Sequence, residues 1–259
     1  MKLRFILINK KYFRFFVLSV LCLVFIGSII FYIEATNSNL SVGDFSDEPN
    51  IDAPVGKNNG GKLAIIIDDF GQSRLGVKEM MSINRHLTFA VMPFLEFSES
   101  DAIAAKEKGF EVIAHLSMEP VSGKISWLGP RPILAGMDNS KVSAIVRDAF
   151  DNVPFAVGAN NHMGSKASND ENIMDSILEV IKEKNLYFVD SMTARRPVCK
   201  KIADQKGVTC YERNIFLDGQ MPKSHVIKQL EAAEKIAIKK GKAIAIGHVG
   251  VEGGKVTAE

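Results

Sequence analysis

The chain has 259 residues, of which 46% are hydrophobic and 24% are charged, with three cysteines and a formal net charge of +2. This composition excludes a disordered polymer, a collagen-like fibre and a small disulfide-rich protein. The small net charge also argues against nucleic acid as a partner, because little basic excess is left to neutralise phosphates.

The first 33 residues predict a membrane anchor. Residues 1–14 carry five basic and no acidic side chains, and Phe15 to Ile33 is a run of nineteen uncharged residues. A helix of that length spans about 28 Å, close to the hydrocarbon core of a bilayer. The run is longer than the apolar region of a cleaved signal peptide, so we expect one uncleaved transmembrane helix. With the basic tail in the cytoplasm of a bacterium, the rest of the chain lies in the periplasm or outside the cell.

Residues 34–61 are rich in Asn, Ser, Asp, Gly and Pro and have almost no apolar periodicity. We expect a flexible linker here, which makes residues 62–259 the folded domain. Cys199 and Cys210 lie in this domain, and the sequence leaves open whether a disulfide joins them.

The folded domain alternates short apolar runs with amphipathic stretches. The stretches, near 73–82, 98–108, 138–151, 170–184, 195–206 and 222–240, have the spacing of helices. Runs that are apolar throughout are typical of strands buried on both faces, so the chain predicts an α/β fold with a parallel sheet. The seven runs are Leu63–Ile67, Leu87–Met92, Phe110–Ala114, Phe155–Gly158, Leu186–Val189, Val208–Tyr211 and Ala243–Ile246. Polar side chains follow nearly every run, which favours a barrel, because all strand C-termini then meet at one mouth.

Two adjacent acids end the first run. Asp68 and Asp69 follow Leu63–Ile67 directly. A lone Asp after a strand is usually a helix cap. An adjacent pair instead favours a site in which one carboxylate binds a metal ion and the other acts as a general base, since the ion keeps both ionised.

Three of the five histidines also lie at predicted strand ends: His115, His162 and His248. We expect a metal ion, with zinc favoured, to be held by Asp69, His115 and either His162 or Glu119. His248 is a candidate proton donor, because an imidazole titrates near neutral pH.

Other polar or aromatic side chains near the mouth are candidates for binding the substrate. Arg213 binds the substrate or forms a structural ion pair. Trp127, the only tryptophan, stacks on a sugar ring or packs over the mouth. The complete candidate set is Asn160, Asn161, Asp190, Arg213 and Trp127.

Six segments in chain order resemble the motifs of a known family. LAIIIDDFG, HLSMEP, GANNHMGS, FVDSMT, RNIFLD and AIAIGH are similar to those of the divergent polysaccharide deacetylases, distant relatives of the NodB-type carbohydrate esterases. The resemblance covers roughly residues 62–250. It implies a distorted (β/α)7 barrel, NodB-like, and metal-dependent removal of acetyl groups from a polysaccharide.

Carried over by position, the resemblance makes Asp68 the base, Asp69 and His115 metal ligands, and His248 the late catalytic histidine. Two motifs depart from the NodB pattern. Glu119 stands where the second metal histidine is usual, and the segment 160–165 replaces Arg-x-Pro-Tyr. The fold normally continues further past its last strand than the eleven residues after His248, so we expect either a domain that is short at its C-terminal end or a fragment of a longer chain.

We therefore expect a membrane-anchored, metal-dependent hydrolase that removes acetyl groups from an envelope or surface polysaccharide, such as a peptidoglycan-type glycan. The altered motifs support an alternative, a catalytically inactive glycan-binding domain on the same barrel. A glycosidase with paired carboxylates fits less well, because the adjacent acids Asp68 and Asp69 are expected to point in different directions.

Overall fold

The computed structural model describes residues 60–218, 222–250 and 256–259. Its framework is a sheet of eight parallel strands. The strands are β1 Lys62–Phe70, β2 Thr88–Val91, β3 Glu111–Met118, β4 Gly158–Met163, β5 Tyr187–Asp190, β6 Cys210–Glu212, β7 Ile215–Phe216 and β8 Lys242–His248. Their hydrogen-bonding order is β6-β5-β4-β3-β2-β1-β8-β7.

Helices connect most successive strands and cover the outer face of the sheet. Helix α4, Glu171–Glu183, shows why these segments are helical. Its buried Ile173, Ile177 and Ile181 recur every four residues on one face, and the Asp170 carboxylate caps its first turn. The described α-helices are α1 Val77–Met80, α2 Ser98–Glu107, α3 Asn139–Asn152, α4 Glu171–Glu183, α5 Cys199–Lys206 and α6 Lys223–Lys240.

The sheet curls into an incomplete barrel. Strands β6 and β7 are at opposite ends of the hydrogen-bonded order, yet only Arg213 and Asn214 separate them along the chain. The backbone amide of Arg213 donates to the carbonyl of Asp190 in β5, and the next amide donates to Ile244 in β8. This pair of residues therefore crosses the gap between the two edges.

The parallel α/β arrangement is confirmed, but the count of seven strands is wrong. The additional strand, β7, has only two residues and follows β6 without a helix, so it gave no separate apolar run. Inside the curl, one apolar cluster collects side chains from five strands: Ile66, Ala90, Ile113, Val189 and Ile246. Other apolar clusters join the outer face to the helices, which explains why the strands are apolar on both faces.

The fourth strand begins later than its apolar run indicated. The run started at Phe155, whose side chain is 55% exposed, whereas β4 is Gly158–Met163. Asn160, Asn161 and His162 therefore belong to the strand itself. Hydrogen bonds between polar side chains, described below, replace apolar burial at these positions.

Within residues 60–218, 222–250 and 256–259, no helix is both long and apolar enough to cross a membrane. The predicted anchor, Phe15 to Ile33, and almost all of the predicted linker lie outside the described residues. Cys199 and Cys210 are free thiols with their sulfur atoms 3.4 Å apart.

A buried carboxylate holds the turn that follows β1. Asp101, on α2, is 1% exposed and accepts a 3.0 Å hydrogen bond from the backbone amide of Gly71, while its other oxygen pairs with Arg74. We expect Asp101→Ala to lower the free energy of unfolding by about 1–3 kcal/mol, because it leaves a buried amide unpaired.

Urea denaturation of the two proteins measures this loss. Asp148→Ala is the matched control, since that carboxylate pairs with Arg131 at the surface, where both side chains are about half exposed. The control should lose less than about 1 kcal/mol. Equal losses in both variants would contradict an anchoring role for Asp101.

Candidate active site

The candidate residues meet at the carboxyl ends of the central strands. Strand pairing sets Asp68 of β1 beside His248 of β8, and Ser117 of β3 beside His162 of β4. Because parallel strands end at the same edge of the sheet, residues 180 positions apart in sequence become neighbours.

A backbone irregularity brings the two acids to the same side. Side chains of adjacent strand residues normally point to opposite faces. Here the β1–β2 register shifts between Ile67 and Phe70, and Asp69 has a left-handed φ of 70°. As a result, carboxylate oxygens of Asp68 and Asp69 lie 3.7 and 3.3 Å from the same atom, Nε2 of His115.

The expectation that the two acids point in different directions is therefore wrong. Residues other than glycine seldom adopt such a φ, because this backbone conformation costs them about 1–3 kcal/mol. Residues held in this conformation are found mainly at functional sites. Both acids now border one imidazole nitrogen, so they do not stand on opposite sides of a substrate as the paired acids of a glycosidase do.

Three potential metal ligands converge beside this bulge. Oδ1 of Asp69 lies 3.3 Å from Nε2 of His115 and 3.0 Å from Nδ1 of His162, and the two nitrogens are 3.2 Å apart. In a tetrahedral site with metal–ligand distances of about 2.0–2.1 Å, the ligand atoms are about 3.3 Å from one another. The observed triangle is close to that size.

The orientation of these atoms also fits an ion. Among the described residues no donor is directed at Oδ1 of Asp69, despite its short contacts, and this oxygen is fully buried. A buried carboxylate oxygen without a directed donor is costly unless a cation lies nearby. Asp69, His115 and His162 are thus suited to hold one divalent ion.

Asn160 links the first histidine to the other acid. Its Oδ1 accepts a 2.7 Å hydrogen bond from Nδ1 of His115, and its Nδ2 donates at 2.7 Å to Oδ1 of Asp68. With its proton on Nδ1, His115 directs the Nε2 lone pair towards Asp69 and His162. Such a partner is what fixes the tautomer and ring orientation of a metal-binding histidine.

The two acids respond oppositely to their surroundings. Burial raises the pKa of Asp68, and this effect outweighs the opposing charges of His115 and His248. Burial also acts to raise the pKa of Asp69, but the close approach and the charges of His115 and His162 hold it well below its usual range. Asp69 is therefore ionised, as a metal ligand would need to be, whereas Asp68 binds a proton more readily.

His248 forms a pair with Asp218. Nδ1 of His248 lies 2.8 Å from Oδ1 of Asp218, and the backbone amide of His248 donates to Oδ2 at 2.5 Å. Burial acts to lower the pKa of His248, but the Asp218 hydrogen bond and the charges of Asp68 and Asp69 raise it to about 9. In the absence of metal, the imidazole is therefore a cation at neutral pH.

The structure does not bring Glu119 into the metal group. Its carboxylate instead pairs with Lys166 at 2.7 Å and accepts a hydrogen bond from the backbone amide of Ala135 at 2.9 Å. Of the two alternatives for the third ligand, His162 has the required position.

The candidate substrate-binding residues fall into different surroundings. Asn160 and Asn161 are almost completely buried, and the amide of Asn161 bonds to the backbone of Met163 and Ser191. Both side chains hold the strand ends in place, and their role at the substrate stays a prediction. Asp190 is also buried: its Oδ1 accepts a hydrogen bond from the amide of Met192, and its Oδ2 has no hydrogen-bond partner in the described part of the chain.

Arg213 and Trp127 differ from these residues. The Arg213 guanidinium donates to the carbonyls of Ser191 and Met192 and lies 3.7 Å from the ring centre of Phe216. Among the described residues, Arg213 forms no salt bridge with a carboxylate. The structure therefore does not support a structural ion pair for Arg213 within those residues. Trp127 is 57% exposed and does not pack into the core.

Reasoning from the sequence considered Asp218 for a structural ion pair without naming His248 as its partner, and it missed the bridging role of Asn160. Asp218 is the last residue of the segment RNIFLD, and Asp68 likewise comes directly after the first apolar run. An acid directly after apolar residues was the sequence feature that could have identified Asp218. Nothing local distinguishes Asn160 from Asn161, because their roles are set by which face of β4 each occupies.

The sequence and the fold were compared with known proteins. The family model for divergent polysaccharide deacetylases matches residues 65–258. Over 188 residues the chain is 35% identical to the uncharacterized protein YibQ of Escherichia coli and 37% identical to an uncharacterized protein of Haemophilus influenzae. These matches cover 73% and 72% of this chain but only 58% and 66% of the two relatives.

Among solved structures, an uncharacterized protein of Agrobacterium tumefaciens has the same fold. It is 19% identical, with a TM-score of 0.71, and the alignment covers 79% of this chain and 83% of that one.

The Asp218–His248 pair predicts a pH dependence in protein stripped of metal. We expect the His248 imidazole to titrate near pH 9, and Asp218→Asn to lower that midpoint. The measurement is an NMR titration of the histidine ring protons after treatment with a chelator.

The free energy of unfolding of the metal-free protein should depend on pH in a defined direction. The folded-state pKa of His248 is raised from 6.5 to about 9, so its stabilising effect is complete below about pH 6.5 and is lost as the pH rises towards 9. Asp218→Asn should therefore cost more stability at pH 6 than at pH 10. A difference that is independent of pH would contradict the pairing.

Proposed function

Because the chain belongs to the divergent polysaccharide deacetylases, we propose that it is a metal-dependent hydrolase that removes acetyl groups from an envelope or surface polysaccharide. The observation that carries this proposal is the convergence of Asp69, His115 and His162, with Asp68 and His248 beside them. Metal-assisted transfer of an acetyl group to water uses a set of metal ligands, a carboxylate base and an imidazolium acid.

Zinc is the favoured ion, because one carboxylate and two imidazoles are a common zinc ligand set. When bound, such an ion would supply Lewis-acid activation of water and of the acetyl carbonyl. Asp69, His115 and His162 would hold it, and Asn160 would keep the His115 ring in its binding orientation.

Asp68 is suited to take the proton of the attacking water. It lies beside the ligand group, and its raised pKa makes it a better proton acceptor than an ordinary surface aspartate. The Asn160 amide occupies Oδ1, so Oδ2 remains available to accept that proton.

His248 is suited to give a proton to the departing sugar nitrogen or oxygen. Its contact with Asp218 favours the protonated imidazole, and Asp218 fixes the ring through Nδ1, which leaves Nε2 to face the substrate. The base and the acid thus come from β1 and β8, which are adjacent strands.

A placement outside the cytoplasm agrees with a polysaccharide substrate. We propose that the basic tail and the apolar run Phe15 to Ile33 anchor the protein in the inner membrane, with the deacetylase domain in the periplasm or outside the cell.

Asp68→Asn tests the mechanism. We expect this variant to retain its metal, because Asp69 and the histidines are unchanged, and to release acetate at least about 100-fold more slowly, because the base is gone. The measurement is acetate release from acetylated glycans, including oligomers of N-acetylglucosamine, by the full zinc-loaded chain.

Glu119→Gln is the matched control, since it removes a carboxylate outside the ligand group. It should change the rate by only a few-fold. Unchanged turnover in Asp68→Asn would remove Asp68 from the mechanism. A metal-loaded wild-type protein that binds the glycan without releasing acetate would instead support the inactive glycan-binding alternative.

A further inference from the structure

The segment 256–259 returns to the candidate active site after the last strand. The hydroxyl of Thr257 donates a 2.8 Å hydrogen bond to Oδ2 of Asp218, the carboxylate that holds His248. This threonine lies beyond the last of the six sequence motifs, which ends at His248. The contact therefore adds a third residue to the pair formed by Asp218 and His248.

Apolar packing holds the segment on both sides of Thr257. Val256 packs against the apolar cluster that contains Leu217, and Ala258 packs against the cluster that contains Val249. Leu217 and Val249 are the chain neighbours of the carboxylate and of the imidazole. The hydroxyl is thus placed by side chains that pack directly around the pair.

Gly247 of β8 makes room for the threonine. A Cβ atom added at this glycine would lie 2.8 Å from the Thr257 methyl group and 3.4 Å from Oδ2 of Asp218. The first distance is too short for two carbon atoms that are not bonded, so a larger residue at this position would displace Thr257. The position directly before His248 therefore has to be a glycine if the hydroxyl is to reach the carboxylate.

Hydrogen bonds on both oxygens set the orientation of the Asp218 carboxylate. Oδ1 lies 2.8 Å from Nδ1 of His248, and Oδ2 accepts from both the backbone amide of His248 and the hydroxyl of Thr257. Burial acts to raise the pKa of Asp218, but its contacts with His248 and the hydrogen bond from Thr257 lower it below its usual value. The threonine therefore helps to keep Asp218 ionised, with one oxygen directed at the imidazole.

We propose that Thr257 is a positioning residue for proton transfer: its hydroxyl fixes the Asp218 carboxylate, which in turn aims the His248 imidazole at the departing sugar atom. This inference rests on the proposed function, since it takes His248 as the proton donor. Because Thr257 acts through Asp218, its loss should slow the chemical step without weakening substrate binding.

Kinetics of acetate release by the full zinc-loaded chain test this role. Thr257→Val keeps the shape of the side chain and removes the hydroxyl, and it should lower kcat about tenfold, as expected for the loss of a hydrogen bond to a charged group, with KM nearly unchanged. Thr257→Ser restores the hydroxyl and should recover most of kcat. Gly247→Ala should lower kcat at least as far as Thr257→Val, because the added methyl group displaces the threonine.

Thr88→Val is the matched control. Thr88 also donates to a carboxylate, that of Glu111 at 3.0 Å, but it is the first residue of β2, at the amino end of that strand. Its loss should leave kcat unchanged. A double-mutant cycle adds a test of the route through Asp218: in an Asp218→Asn background, Thr257→Val should have little further effect on kcat.

A spectroscopic measurement reports on the same contact without turnover. In metal-stripped wild-type protein at pH 6, the Nδ1 proton of His248 should give a downfield NMR signal, which is assigned by its loss in Asp218→Asn. We expect this proton to exchange with water about tenfold faster in Thr257→Val, because the carboxylate that holds it is less firmly fixed. Thr257→Ser and Thr88→Val should leave the exchange rate close to that of the wild type.

These experiments separate failure of the positioning role from failure of the proposed function. Acetate release that is equally fast in Thr257→Val, or that falls as far in Thr257→Ser as in Thr257→Val, would overturn the positioning role and leave the hydrolase. A wild type that releases no acetate would overturn the hydrolase, and faster proton exchange in Thr257→Val would then still support the hold of Thr257 on the imidazole. Unchanged exchange in that variant would overturn this hold as well.

Discussion

The burial of two neighbouring carboxylates inside a parallel sheet is the constraint on which this structure depends. Asp68 and Asp69 are 2% and 4% exposed, and an isolated buried charge would cost several kcal/mol. His115 faces both acids, Asn160 bonds to one and His162 contacts the other. The polar residues of β3 and β4 therefore compensate the charge carried by β1.

This compensation explains why the two acids differ in pKa. The pKa of Asp69 is held low by two imidazoles, as suits a ligand, whereas burial raises the pKa of Asp68, as suits a base. In β8, beside β1, Asp218 raises the pKa of His248 in the metal-free protein, as would suit a proton donor. One irregularity in β1, the left-handed Asp69, brings two adjacent acids with opposite pKa shifts to the same imidazole.

Much of the fold and of the candidate site could be predicted from the sequence wherever the pattern of neighbouring residues was enough. Continuous apolar runs indicated the parallel sheet, and polar residues at their ends indicated the mouth. The apolar pattern did not identify strands whose buried residues are polar. In β4, residues Asn160 to His162 resemble a loop in sequence but form a strand. The choice of His162 over Glu119, and the partners of Asn160 and Asp218, depend on contacts between strands that a single sequence does not contain.

We propose above all that Asp69, His115 and His162 bind one divalent ion. The most direct measurement is the metal content of the full-length chain, purified without added metal and analysed by elemental mass spectrometry beside His162→Ala and Glu119→Ala. We expect close to one ion per chain in the wild type and in Glu119→Ala, and almost none in His162→Ala. A folded wild type that takes up no zinc on titration, or a loss of metal in Glu119→Ala with retention in His162→Ala, would contradict it.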